Sequence, residues 1–144
     1  MKKNLIVAAV GVLLALLVAG CAAPLNEVRP AGPGVASPGG SWVLTSWSDP
    51  SAVPTDPNSI TLTIADGRVS GKSACNQYNG PVKIDGKGFS AGDMATTMMA
   101  CFDDLASAEN TYLRLLADVD AWSIDGGELV LSTNGVETLR YKAA

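Results

Sequence analysis

The chain contains no histidine, three cysteines and no CxxC pair. Without an imidazole, a cysteine nucleophile lacks its usual base. A structural zinc site needs four soft ligands, and two thiols without histidine do not make one. The missing CxxC spacing removes the common redox dithiol. Positive charge is scarce as well, with 10 Lys and Arg against 14 Asp and Glu. Nucleic-acid binding depends on cationic groups that displace counterions, so this balance points to no nucleic-acid partner. No internal repeat is present. The longest apolar and small-residue run, Leu5 to Gly20, falls short of the roughly 20 residues that a spanning helix needs. Pro and Gly follow it rather than basic stop-transfer residues, which makes a permanent transmembrane anchor the weaker reading.

What the N-terminus does have is Lys2 and Lys3 ahead of that run, the charged and apolar regions of a signal peptide. The run ends Val18-Ala19-Gly20-Cys21, which resembles the lipobox of bacterial lipoproteins, where the cysteine sulfur receives a diacylglyceryl group. The resemblance implies a signal peptide at 1–20, lipidation at Cys21 and an extracytoplasmic protein on the cell membrane or an outer membrane. The competing reading is an ordinary secretory signal with a chance cysteine. Each buried methylene contributes about 0.8 kcal/mol, so two acyl chains hold stably where one holds marginally. Loss of residues 1–20 removes two lysines and takes the net charge from −4 to about −6. An acidic chain gains nothing from an anionic bilayer, which leaves the holding to the lipid. Residues 21–40, which include "RPAGPGVASPGG", have no period of two or of 3.6 and read as a tether. The globular domain is placed at 41–142, enough for one core.

Within the domain, alternation broken by glycine turns dominates. In "SITLTIADGRVSG", Ile60, Leu62 and Ile64 share one face, and Asp66-Gly67 suits a tight hairpin turn. Asp85-Gly86, Gly126-Gly127 and Asn134-Gly135 repeat the punctuation. In "GELVLSTNGVETLRYK", Leu129 and Leu131 alternate on one arm and Leu139 and Tyr141 on the other. Connections this short require an antiparallel sheet. One segment differs: Leu105, Ala108, Tyr112, Leu115 or Leu116 and Val119 recur at helical spacing, with Asp103 or Asp104 available to cap the first turn. The predicted fold is mainly β (α+β): one strongly curved antiparallel sheet or small incomplete barrel with one amphipathic helix against it.

Once Cys21 is lipidated, Cys75 and Cys101 remain. In an oxidising compartment, two cysteines of a small domain usually form a disulfide. Closing that loop contributes roughly 3 to 4 kcal/mol. Two reduced, buried thiols are the alternative. Ser70 and Lys72 share a strand face, but nothing marks an oxyanion hole for a serine–lysine hydrolase.

"ITLTIADGRVSGKSACNQYNG", "MATTMMAC", the acidic helix and "LVLSTNGVETLRY" together resemble the META domain (HslJ) family over nearly all of the domain. Its signature is CNxxxG followed by TxMxC. Cys75, Asn76 and Gly80 fit the first half, and Thr97, Met99 and Cys101 the second. The resemblance implies a bent antiparallel sheet with one helix, in envelope lipoproteins associated with heat response and aminocoumarin resistance. It also implies a glutamate in the early turns of the helix, where Glu109 can stand. The motif reads structurally: Asn76 satisfies backbone groups, Gly80 adopts a backbone angle that others resist, and Met98 or Met99 fills core space. The alternative is a polar pocket lined by Asn76, Gln77, Tyr78, Asn79 and Thr97. The function expected is a monomeric, non-enzymatic envelope protein with no catalytic residue, metal or cofactor. Its partners are the membrane, through the lipid, and an envelope protein. The second reading is a binding module for a small apolar ligand or a protein segment.

Overall fold

Dipeptides that tolerate positive φ set the hairpins. Asp66 and Gly67 lie at φ 51° and 70°, and Asn134 and Gly135 at 52° and 77°. Two successive left-handed residues give a turn whose twist matches the flanking strands. The computed structural model describes residues 37–51 and 60–144. The expected signal peptide at 1–20, the expected lipidation at Cys21 and the expected tether up to residue 36 lie outside the described residues. The elements are β1 (Gly40–Trp47), β2 (Thr61–Ala65), β3 (Arg68–Lys72), β4 (Gln77–Asp85), β5 (Gly88–Ala91), β6 (Ala95–Thr96), α1 (Asp103–Ala117), β7 (Ala121–Asp125), β8 (Glu128–Thr133) and β9 (Val136–Ala143).

All strand pairs are antiparallel, in the order β3-β2-β1-β9-β8-β7-β5-β4-β6, and β3 also pairs with β4. That extra pairing bends the sheet into a ring. The seam is narrow, because β5 meets β7 in register only at Gly88 and Ala121. Phe89 N–H donates to the Asp120 carbonyl at 3.0 Å and Trp122 N–H to that of Lys87 at 2.9 Å. The architecture is therefore ring-like without being a regular barrel, and mainly β with one helix packed against it.

The alternation read from sequence places the core. Leu62 and Ile64 are buried from β2, and Leu129 faces Tyr141 while Leu131 faces Leu139 across β8 and β9. Helix α1 turns Ala108, Tyr112, Leu115 and Leu116 inward. Burial of Leu116, which has no exposed surface, contributes about 1.5–3 kcal/mol. Val119 is buried too, but past the helix end at Ala117. The expected aspartate cap is corrected. The N-cap is Phe102, with no side-chain capping bond, while Asp103 and Asp104 occupy the first turn. There they favour the positive end of the helix dipole, and Asp104 Oδ1 accepts from Leu105 N–H at 2.9 Å.

All three tyrosines of the chain meet in the core. Tyr141 O–H donates to the Tyr112 oxygen at 3.2 Å, and the Tyr112 and Tyr78 oxygens are 2.7 Å apart. Tyr78 O–H donates to the Thr61 carbonyl at 2.9 Å, so the single consistent direction runs from Tyr141 through Tyr112 and Tyr78 to β2. Burial pushes all three phenols well above their usual range. A raised pKa in the folded state gives stability that is complete below the unfolded value of about 10 and lost as pH rises beyond it. Ultraviolet titration should accordingly show no tyrosinate until the protein unfolds cooperatively above about pH 10. A gradual titration near 10 in folded protein would mean that a phenol is open to water.

Candidate functional site

The motif residues gather where the chain reverses between β3 and β4. Ser73 N–H donates to the Asn76 carbonyl at 2.8 Å, closing a tight turn in which Ala74 is forced to φ 84°. An alanine at that angle costs roughly 1–2 kcal/mol, so the surroundings must over-determine it. They do so through α1. Glu109 Oε2 accepts from Ser73 O–H at 2.6 Å and from Asn76 N–H at 2.8 Å, and its Oε1 accepts from Asn76 Nδ2 at 3.0 Å. Three donors thus hold one carboxylate, and among the described residues it has no Lys or Arg partner.

The other side of Asn76 holds the second half of the motif. Its Oδ1 accepts from Thr97 O–H and from Met99 N–H, each at 2.8 Å. The Thr97 oxygen accepts in turn from Gln77 N–H at 3.1 Å. Cys75 and Cys101 form a disulfide, with α-carbons 6.1 Å apart, beside these bonds. A single side chain, Asn76, therefore joins the β3–β4 turn, the 97–101 segment and α1. The arrangement is a clasp.

Of the residues singled out in the sequence, Cys75, Asn76, Thr97, Met99 and Cys101 come together. Gly80 stands apart, in β4, and the reason given for it is corrected. It does not have a positive φ. A β-carbon there would come within 2.8 Å of the Asp93 carbonyl and 2.6 Å of Met94 Sδ, so glycine is needed for close approach. The methionine reading is corrected as well: Met98 is 96% and Met99 58% exposed, on the irregular segment between β6 and α1. The polar-pocket reading fails on strand alternation, since Tyr78 is buried in the core while its neighbours Gln77 and Asn79, and Thr97 opposite, are exposed.

The sequence reading missed Ser73 and the partners of Glu109. The available signal was the position of Glu109 four residues after Leu105 and three before Tyr112, a carboxylate inside an apolar stripe. A second polar cluster lies on β7–β9, where Arg140 donates to Asp125, Glu128 and Glu137. The hydrogen bonds that Arg140 donates to Glu137 lower the Glu137 pKa, and those it donates to Glu137, Glu128 and Asp125 raise its own. With the guanidinium committed to three carboxylates, this cluster ties strands together.

Open surface grooves occur beside Ser37–Gly39 and Val82–Ile84, about 510 Å³, and beside Asp85–Ser90 and Val119, about 330 Å³. Neither is lined by the three tyrosines.

The chain is a bent antiparallel ring with one helix, fastened by a disulfide and an Asn–Glu clasp. The META domain family matches residues 35–144, and the chain belongs to that family. Among solved structures, it is similar to a protein from Burkholderia xenovorans determined by NMR, at 28% identity and a TM-score of 0.60. That match covers 81% of this chain and 97% of the other. A second NMR structure is 25% identical, with a TM-score of 0.52 over 72% of this chain and 87% of the other. A DUF4847 family protein from Bacteroides vulgatus, 15% identical with a TM-score of 0.56 over 73% and 92%, shares the fold. No curated protein matches the chain.

Proposed function

We propose that the protein is an exported, non-enzymatic component of the cell envelope. In this reading an acylated Cys21 holds it on the outer face of the cell membrane or on an outer membrane, and it supports envelope integrity under heat or antibiotic stress. The observation that carries the reading is that the motif's polar groups are spent on one another. Among the described residues no buried side-chain nitrogen or oxygen lacks a hydrogen-bond partner. A catalytic or ligand site ordinarily keeps some such groups turned toward its substrate. The Cys75–Cys101 disulfide supports export, since such bonds persist in oxidising compartments.

A small apolar ligand inside the ring is disfavoured. That space is taken by Tyr78, Tyr112, Leu116, Leu129, Leu131 and Leu139, all at most 2% exposed and in one contiguous cluster. The protein then acts through its surface. The anchor is tested by Cys21→Ala, which should abolish acyl labelling and leave precursor or release soluble protein. A deletion strain should be sensitised to heat and aminocoumarin, and rescued by the wild-type chain but not by C21A. Unchanged labelling of C21A would end the lipid assignment, and an unaffected deletion strain would end the stress role.

A further inference from the structure

Of the five large apolar side chains that are exposed among the described residues, three lie within five positions: Met98, Met99 and Phe102, at 96%, 58% and 82%. The other two, Ile84 and Val136, stand singly in sequence. Scattered exposed apolar residues are ordinary, but a cluster at one place is not. The backbone beneath this cluster is fixed. Thr97 N–H donates to the Gln77 carbonyl at 3.0 Å, Met99 N–H to Asn76 Oδ1 at 2.8 Å, and Cys101 is cross-linked. Side chains on a fixed backbone bind with less ordering cost. Phe102 also fills the N-cap of α1, where Ser, Thr, Asp or Asn would satisfy a helix N–H and contribute about 1 kcal/mol. Local choices that forgo stability cluster where function is served.

Charge selects the occupant. Asp103 and Asp104 adjoin Phe102, are exposed, and form no ion pair among the described residues. Lys72, in register with Gln77, is the cation on this side of β3, against these two carboxylates. A second copy on the ledge would set carboxylates against carboxylates, and an anionic bilayer would do the same. The ledge also lies by Gln77, at the end of β4 away from Val82–Ile84, where Ser37 and Pro38 enter the domain.

We infer that the Met98–Phe102 ledge docks a protein segment that presents apolar side chains flanked by lysine or arginine. The inference rests on the surface-acting reading above, and its test is independent of lipidation. The full chain, immobilised through a C-terminal tag, is panned against a random peptide display library, and the enriched peptides are resynthesised. They should combine Leu, Met or aromatic residues with Lys or Arg, and shift the labelled methyls of Met98 and Met99. They should also bind Met98→Ser and Phe102→Ser about tenfold more weakly. Asp103→Asn with Asp104→Asn should weaken them most at low salt. Both apolar variants change exposed side chains, and unchanged melting shows that they fold. Enriched peptides without basic residues, or equal binding to wild type and both serine variants, would overturn the inference. So would self-association abolished by Phe102→Ser, or Met98 shifts on adding phosphatidylglycerol vesicles.

Discussion

Replacing Cys75 or Cys101 with alanine lowers the unfolding free energy by about 2–5 kcal/mol and leaves the partner thiol reactive. The two cysteines are 26 residues apart and their α-carbons 6.1 Å apart, within ordinary disulfide reach. For a loop of that length, chain entropy alone gives about 3.5 kcal/mol. A domain of this size has about 5–15 kcal/mol in total, so the midpoint of a denaturant titration should fall sharply. The bond also ties the β3–β4 turn to the 97–101 segment, so its loss loosens the strained Ala74 turn beside it. A change below about 0.5 kcal/mol in both variants would mean that the bond is incidental to the fold.

The second large effect is expected at Glu109. Glu109→Ala leaves Ser73 O–H, Asn76 N–H and Asn76 Nδ2 without their acceptor, and both residues are buried, Ser73 at 0% and Asn76 at 4% exposure. A buried unsatisfied donor costs about 1–3 kcal/mol. Ser73 O–H has a second acceptor in the Asn76 carbonyl at 2.9 Å, which leaves two orphaned donors on Asn76 and a loss of about 2–6 kcal/mol. Glu109→Gln is the sharper variant. Both carboxylate oxygens accept, so whichever way the amide is turned its NH₂ meets a donor, and a loss of about 1–2 kcal/mol follows. Thermal and urea unfolding of the two variants measure this. Wild-type stability in Glu109→Gln would show that the carboxylate's charge and acceptor capacity are not needed.

The sequence disclosed the hairpins because their physics is local: Asp66-Gly67 and Asn134-Gly135 dictate turns, and alternation in β2, β8 and β9 dictates faces. It misled at β4. Asn79, Gly80 and Pro81 favour loops, yet β4 is paired on both sides, to β3 and to β5 and β6. Tertiary pairing overrode local preference. Met98 and Met99 misled for another reason: apolar residues mostly go inside, but nothing in a sequence shows which side of a segment meets the core. The two cysteines and Asn76 could be read as one structural motif. That their partner was Glu109 depended on where the helix docks, a long-range fact that only the position of the glutamate in the apolar stripe hinted at.

Asn76 and Glu109 hold the motif shut as a clasp, and native-state amide hydrogen exchange reads that closure amide by amide. Asn76 N–H donates to Glu109, and Met99 N–H to Asn76 Oδ1, although Met99 itself lies in an exposed, irregular segment. Both amides should exchange with opening free energies close to that of global unfolding, and in Glu109→Gln both should lose protection together. Met99 and Asn76 amides that exchange in wild type at the rate of an open surface loop would contradict the clasp.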